Sequence, residues 1–431
     1  MKNNNDYPYF SVIIPQKDRA EYIGWTLRTC MIQDYPNFEI IVSDDCSEDN
    51  SVEVISKLAE QDKRIKLFAH KEHLGMRDNF EFALSQVKSG YVIALGGDDG
   101  LVPGCIWQMY KILKETGRQL LTWAPAGFHY PKEPGDKNLL YVKRRKNNTV
   151  RFIKSEDFLN KLAKTFHYQI DECPMFYMKG VASTELVDRV KSRTSDGCFY
   201  YCPTPDGFSG VVLAGEVEDF AYTDMPLSIT GDTVKSQGKN YMRADKKSRF
   251  ESQQFFNDNI RRTMHRELAS QPYSPLTTLM TADYLLTARD LPGWPGKFEM
   301  FSFESLLKAS FDNMANNPFA DEVLVRELTI LKEIAKQHNL EPLFEDLYKN
   351  TRRKVQVSKG IPFTFLITNS IRFEGTSIGI NNIFDACLAV NFIHGFHKQL
   401  NGRFFREFFK NSFKLVFKRK KYQYIGFPVM E

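Results

Sequence analysis

Tyr91 to Pro103 reads YVIALGGDDGLVP. Five apolar or aromatic residues in a row predict a buried strand, and the run stops at Gly96-Gly97 before two adjacent carboxylates, Asp98 and Asp99. Charge therefore sits at a strand's end, which in an open α/β sheet is where a nucleotide binds. Glycines on both sides let a ligand approach the backbone closely. Two neighbouring carboxylates repel each other and call for a cation, and oxygen-only ligands suit a hard ion such as magnesium or manganese. A metal held this way neutralises a diphosphate leaving group. A solvated Asp-Asp-Gly turn reads from the same residues, so the segments upstream decide.

Those segments are strands and helices in alternation. FSVIIP, residues 10–15, is a short β-branched run closed by proline and predicts a first strand. No G-x-G-x-x-G follows; Gln16-Lys17-Asp18-Arg19 leads into a helix over 21–33, so the phosphate cradle of a dehydrogenase is missing. A second strand, 39–43, ends in DDCSEDNS, where Asp49 or Asn50 caps the next helix. A third strand over 65–69, a helix over 77–87 and the strand at 91–95 complete β-α-β-α-β-α-β. That order predicts a mainly parallel sheet.

At 431 residues the chain exceeds one usual domain of roughly 100 to 200 residues and predicts two. With 26% charged and 13% aromatic residues it is composed like a folded protein, not a disordered one. A formal charge of +5 is small for this length and argues for no nucleic-acid partner. No apolar run approaches the roughly 18 to 20 residues of a membrane span, and MKNNNDYPYF lacks the apolar core of a signal peptide. The expectation is a cytoplasmic protein. Seven cysteines without a repeated close spacing fit free thiols, and Cys198 and Cys202 lack the second pair of a zinc site.

In order, FSVIIP, EIIVSDDCSEDNS, LGMRDNFEFAL and YVIALGGDDGLVPG resemble the successive motifs of the family-two glycosyltransferases with the GT-A fold. Each motif alone is weak; order and spacing carry the resemblance, closely over about the first 115 residues and loosely to about residue 238. It implies a Rossmann-like α/β domain that binds a nucleotide-sugar, typically a UDP-sugar. By that resemblance Asp45 accepts a hydrogen bond from the base, Asp98 faces the ribose, and Asp99 holds the divalent Mn or Mg ion that bridges the donor diphosphate. Pro15 and Arg19 line the nucleotide pocket. Arg77 would place its planar guanidinium near base or phosphate, although a surface arginine opening a helix reads equally well.

Further on, residues 103–115 read as a helix and 120–123 as a strand. Residues 125–149 carry Pro, Gly, Lys and Asn without a steady period, a loop or hairpin of the kind that carries acceptor specificity. After a helix over 155–164, DECPMFYMKG at 171–180 resembles the family's approach to the acceptor pocket. The resemblance then puts the catalytic base at Asp206, ahead of an apolar helical stretch over 208–214. Taken alone, Asp206 is a helix cap; Asp196 and Glu216 are the next candidates for the base. PLSITGDTVKSQG, 226–238, resembles the segment that closes over the donor phosphates, with Lys235 and Ser236 contacting the diphosphate. Asp232 departs from the histidine more usual there: it either completes the metal shell or repels phosphate.

From about residue 243 the periodicity is helical, with helices expected over 250–268, 276–288, 303–315 and 321–336. The predicted division is a GT-A domain over 1–240, a helical domain over 241–400 and a basic amphipathic segment over 401–431. His394 and His397 lack the Glu of an H-E-x-x-H site. In the last segment Phe404, Phe405, Phe408 and Phe409 share one helical face and Arg403, Arg406, Lys410 and Lys414 the opposite one. Residues 402–421 read either as a peripheral membrane contact or as a helix docked on the protein's own core.

Together these readings predict an inverting, metal-dependent glycosyltransferase. It would move a sugar from a nucleotide-diphosphate donor to a hydroxyl of a glycan or lipid-linked acceptor in bacterial surface polysaccharide assembly. The missing Q-x-x-R-W motif argues against a processive synthase. Nucleotidyl transfer would bring a glycine- and basic-rich loop after the first strand, which Gln16 to Ala20 is not. A scaffold that kept the fold and lost the chemistry is the non-enzymatic alternative.

Overall fold

The computed structural model describes residues 7–132, 135–143, 149–202, 204–236, 263–356, 370–395 and 422–430. Its first part alternates as expected: β1 (Phe10–Gln16), α1 (Ala20–Met31), β2 (Phe38–Asp44), α2 (Ser51–Gln61), β3 (Ile65–Ala69), α3 (Met76–Ser85) and β4 (Tyr91–Ala94). β1 and β2 are buried along their whole length, as parallel strands covered on both faces are. α1 turns Tyr22, Ile23, Thr26, Leu27 and Cys30 onto the sheet, the helical spacing of one apolar face. Register then decides where the carboxylates go. Gln16 pairs with Asp44 and Ile13 with Ala94, so Asp44-Asp45 and Gly96 to Asp99 emerge at one edge of the sheet.

The chain continues through β5 (Gly100–Leu101), α4 (Cys105–Thr116), β6 (Leu120–Trp123), β7 (Ala126–His129), β8 (Leu139–Lys143), β9 (Val150–Lys154) and α5 (Ser155–Thr165). After these come β10 (Gly180–Ser183), α6 (Thr184–Lys191), α7 (Asp206–Gly215), β11 (Asp219–Thr223) and β12 (Ser228–Asp232). The main sheet has the order β3-β2-β1-β4-β10-β6-β11-β9, with β10 antiparallel to both its neighbours. The aperiodic stretch after β6 is a hairpin: β7 and β8 pair antiparallel and, with β12 and β5, build a second, smaller sheet beside the acidic edge.

Next come α8 (Thr277–Arg289), α9 (Phe303–Asn316), α10 (Asp321–Gln337) and α11 (Glu341–Asn350). The helix expected over 250–268 is described only from residue 263, where Arg266–Leu268 is a single 3-10 turn. α8 is buried on every side from Thr278 to Ala288 and packs on α5, α7 and α9. One apolar core therefore runs from the sheet through α7 and α8 to Leu331 and Phe344. Trp294 locks this junction: its indole donates to the Val212 carbonyl at 3.1 Å, and its ring covers Gly215.

Beyond β13 (Arg353–Gln356), the segment expected to stay helical departs from that reading. β14 (Ser370–Glu374) pairs with β8, and α12 (Ile383–Gly395) packs on α1 and β5, so residues 370–395 belong with the sheets. A helix all of whose turns are apolar needs cover, and Ile383, Ala386, Cys387 and Val390 find it there. β15 (Tyr422–Ile425) then returns to pair with β13. The basic stretch 402–421 lies outside the described residues. Among the described residues no helix is long and apolar enough to cross a membrane.

Candidate active site

At the carboxyl edge Asp99 is 2% exposed. Its Oδ2 accepts from the Gly96 N–H at 2.8 Å and its Oδ1 from the Gly231 N–H at 2.9 Å. These two bonds do not offset the loss of water around the charge. Burial, with Asp98 alongside, pushes the Asp99 carboxyl from 3.8 up to about 7. Only glycine fits at 231, because a β-carbon there would stand 1.9 Å from the Asp98 carbonyl oxygen. Asp98 accepts the Thr233 hydroxyl at 3.0 Å and has the Arg19 Nε 3.8 Å away.

Arg19 reaches the site from the turn between β1 and α1, and its Nη2 donates to the Lys235 carbonyl at 3.1 Å. Lys235 in turn places its ammonium on the Asp18 carbonyl, 3.8 Å from Asp49. The Ser236 hydroxyl accepts the Thr233 N–H at 3.1 Å. The turn 233–236 is thus tied to both Asp98 and the β1–α1 loop. Pro15 is buried within β1, opposite Ser43, one residue before Gln16, whose amide donates to Asp44.

Three expected site residues have partners of their own. Asp45 accepts the N–H groups of Leu74 at 2.6 Å and Gly75 at 3.1 Å, with His73 at 2.9 Å, so it pins the loop entering α3. Arg77, expected near base or phosphate, is engaged by the chain itself. Its guanidinium is held by Asp196 and by the Tyr200 carbonyl, because its place at the start of α3 faces the 196–200 segment. Asp232, expected in the metal shell, sits in a cluster of its own. Strand alternation turns Gly231 toward the acidic pair and Asp232 away from it, where Lys132 donates at 2.5 Å and His129 lies at 2.6 Å.

Asp206 opens α7. Its Oδ2 accepts the Tyr168 hydroxyl at 3.0 Å, while its Oδ1 is buried with no hydrogen-bond partner. The alternative candidates are engaged elsewhere: Asp196 by Arg77, and Glu216, almost wholly buried, by Arg193 and Arg189. Tyr177 stands between the two acidic centres. Its hydroxyl lies against Gly96, and burial, reinforced by the charges of Asp99, Asp98 and Asp206, holds it well above the usual tyrosine range.

Sequence reasoning missed Thr233, Tyr168 and Tyr177. Period-two alternation through Gly231 and Asp232 could have found Thr233; no local pattern marks the two tyrosines. Among the described residues no group of three or more His, Cys, Asp or Glu forms a metal cage. The donor set still fits a hard cation. Asp99 is a buried carboxylate beside another, made hard to ionise by that placement, and a divalent ion sharing its ligands with a diphosphate would relieve it.

Residues 11–179 match the model of glycosyl transferase family 2. A Campylobacter jejuni GalNAc(5)-diNAcBac-PP-undecaprenol beta-1,3-glucosyltransferase is 34% identical over 100 residues, 23% of this chain and 32% of that protein. A putative teichuronic acid biosynthesis glycosyltransferase of Bacillus subtilis, TuaG, is 32% identical over 108 residues, 25% of this chain and 40% of that protein. The alignments with the curated relatives span about a third to a half of those proteins' length. Among solved structures, Staphylococcus aureus TarS superposes with a TM-score of 0.43 at 16% identity, covering 79% of this chain and 55% of that one. The matched segment holds β1 to β4, the acidic edge and the approach to β10, so it is this part of the mainly parallel α/β sheet that is similar to glycosyl transferase family 2.

Proposed function

We propose that this chain is an inverting, divalent-cation-dependent glycosyltransferase. It takes a sugar from a nucleotide-diphosphate donor, a UDP-sugar by the family's habit, and passes it to a hydroxyl of a glycan or lipid-linked acceptor in bacterial surface polysaccharide assembly. The observation that carries the reading is the pairing of two different acidic centres. Asp98 and Asp99 lie together at the sheet's edge, and Asp206, from a different segment, keeps one carboxylate oxygen buried and unpartnered.

Each centre then has its task. Asp99 would hold manganese or magnesium, and the bound ion would neutralise charge on the departing diphosphate. Asp98, fixed by Thr233 and Arg19, would receive the ribose. Asp45, Pro15 and Arg19 would border the base, and the 233–236 turn would bring Lys235 and Ser236 toward the diphosphate. Inversion needs one displacement, with the acceptor hydroxyl attacking opposite the leaving group. A carboxylate outside the metal site must take its proton, and Asp206 keeps a buried oxygen for it. Likeness to undecaprenol-linked and teichuronic acid enzymes supports an acceptor of that chemical kind.

The test is Asp206→Asn, which keeps size and removes the proton acceptor. Donor binding in manganese, measured by calorimetry against a panel of UDP-, GDP- and dTDP-sugars, should persist while turnover falls by about a hundredfold or more. Turnover at the unaltered rate would reject Asp206 as base.

A further inference from the structure

The buried bonds around Asp206 lead to residues outside the family segment. Tyr168 donates to Oδ2, and Gln169 Nε2 stands 3.4 Å from the same hydroxyl. The Tyr168 N–H donates to the Thr281 hydroxyl at 3.2 Å, and one turn further along α8 the Tyr284 ring meets the Tyr168 ring edge-on at 5.5 Å. Tyr284 also shares a 2.6 Å hydrogen bond with Thr204, two residues before Asp206. Between them lies Gly207, where a β-carbon would come within 2.2 Å of Tyr284 and 2.8 Å of Tyr168. One face of α8 thus fixes both Tyr168 and the turn that launches Asp206.

We infer that Tyr168 is a positioning residue for Asp206: its hydroxyl holds Oδ2, leaving Oδ1 free to receive the acceptor's proton, and helix α8 sets the tyrosine in place. The inference rests on Asp206 as the base. A carboxylate anchored through one oxygen offers the other in a fixed direction, which a freely turning side chain does not. The ionisable groups facing Asp206 are Tyr168, Tyr177, Tyr273, Tyr284 and Cys173. Burial raises all five above their usual range, so near neutral pH they are uncharged and the Tyr168 hydroxyl remains a donor. The helical region would therefore be part of the catalytic apparatus, acting through one phenol.

The experiment reads the full chain, labelled with carboxyl-13C aspartate, by NMR at one neutral pH. The Asp206 resonance is assigned by its loss in Asp206→Asn. Tyr168→Phe keeps the ring and its packing on Tyr284, and there the Asp206 carboxyl resonance should move, because its hydrogen-bond donor is gone. In Tyr200→Phe, which loses an equally buried hydroxyl bonded to the Phe176 carbonyl, the resonance should stay. An unmoved resonance in Tyr168→Phe, or an equal movement in Tyr200→Phe, overturns the inference. Hydrolysis of UDP-, GDP- and dTDP-hexoses in manganese chloride separates it from the reading beneath it. Unchanged hydrolysis in Asp206→Asn rejects the base and the positioning role together. Slow hydrolysis in Asp206→Asn, with turnover in Tyr168→Phe unchanged, rejects the positioning role alone.

Discussion

Thr233 donates its hydroxyl to Asp98 at 3.0 Å, closing a contact between residues 135 apart in the chain. That bond joins the acidic edge to the turn carrying Lys235 and Ser236, so the order of the turn depends on the charge it covers. Thr233→Val keeps the shape and removes the donor. A hydrogen bond to a charged, buried group is worth about 1.5 to 3 kcal/mol. Nucleotide affinity in manganese, measured by calorimetry, should fall about tenfold, and an unchanged affinity would separate the turn from donor binding.

Asp99 gives the metal-free protein a pH-dependent weakness. Its carboxyl is raised from 3.8 to about 7, so between about pH 4 and 7 the folded chain keeps a proton that the unfolded chain has released. Stability from this group therefore falls as pH rises through that window, by at most about 4 kcal/mol. In EDTA the urea midpoint should be lower at pH 7.5 than at pH 5. Asp99→Asn cannot ionise and should lose much of the difference; equal pH dependence in both proteins would contradict the assignment.

Arg77 should matter for stability more than for donor binding. Its guanidinium joins α3 to Asp196 and to the Tyr200 carbonyl. Arg77→Ala should cost about 1 to 3 kcal/mol in chemical denaturation and leave nucleotide affinity within about twofold. A large loss of affinity at unchanged stability would restore the donor-binding reading of Arg77.

Gly215→Ala tests the junction between sheet and helices. The new methyl would stand 2.0 Å from the Trp294 ring, itself held by the Val212 carbonyl. Displacing a buried indole should destabilise by about 1 to 3 kcal/mol or more. A cooperative melt shifted down as one transition is expected, since α7 and α8 share a core. Two separated transitions would mean that the helices fold apart from the sheet.

What the sequence made legible follows from period. β1, β2 and β6 announce themselves by apolar runs, and α8, α9 and α10 by spacing at three and four residues, with ends shifted by a residue or so. β5, with two residues, and β10, with four, are too short for any period. The acidic edge was legible because the alternating strands and helices upstream fix the sheet end at which Gly96 to Asp99 emerge. The partners of Arg77 and Asp232 were not, because they lie far along the chain: Asp196 for one, His129 and Lys132 for the other. Tyr168 shows the same limit from the opposite side. Nothing in its neighbourhood along the chain marks it: its hydroxyl meets Asp206 on α7, 38 residues away, and its N–H meets Thr281 on α8.

The pairing of β13 with β15 has a consequence for how this architecture tolerates change. Arg353 lies opposite Ile425 and Gln356 opposite Tyr422, so the chain leaves on its excursion to β14 and α12 and returns through a single doorway. Both ends are fastened side by side, and the entropy of closing such a loop grows only slowly with its length. The doorposts fix where the excursion leaves and returns, while β14 on β8 and α12 on α1 and β5 fasten its middle, so removing either element would be felt in both sheets.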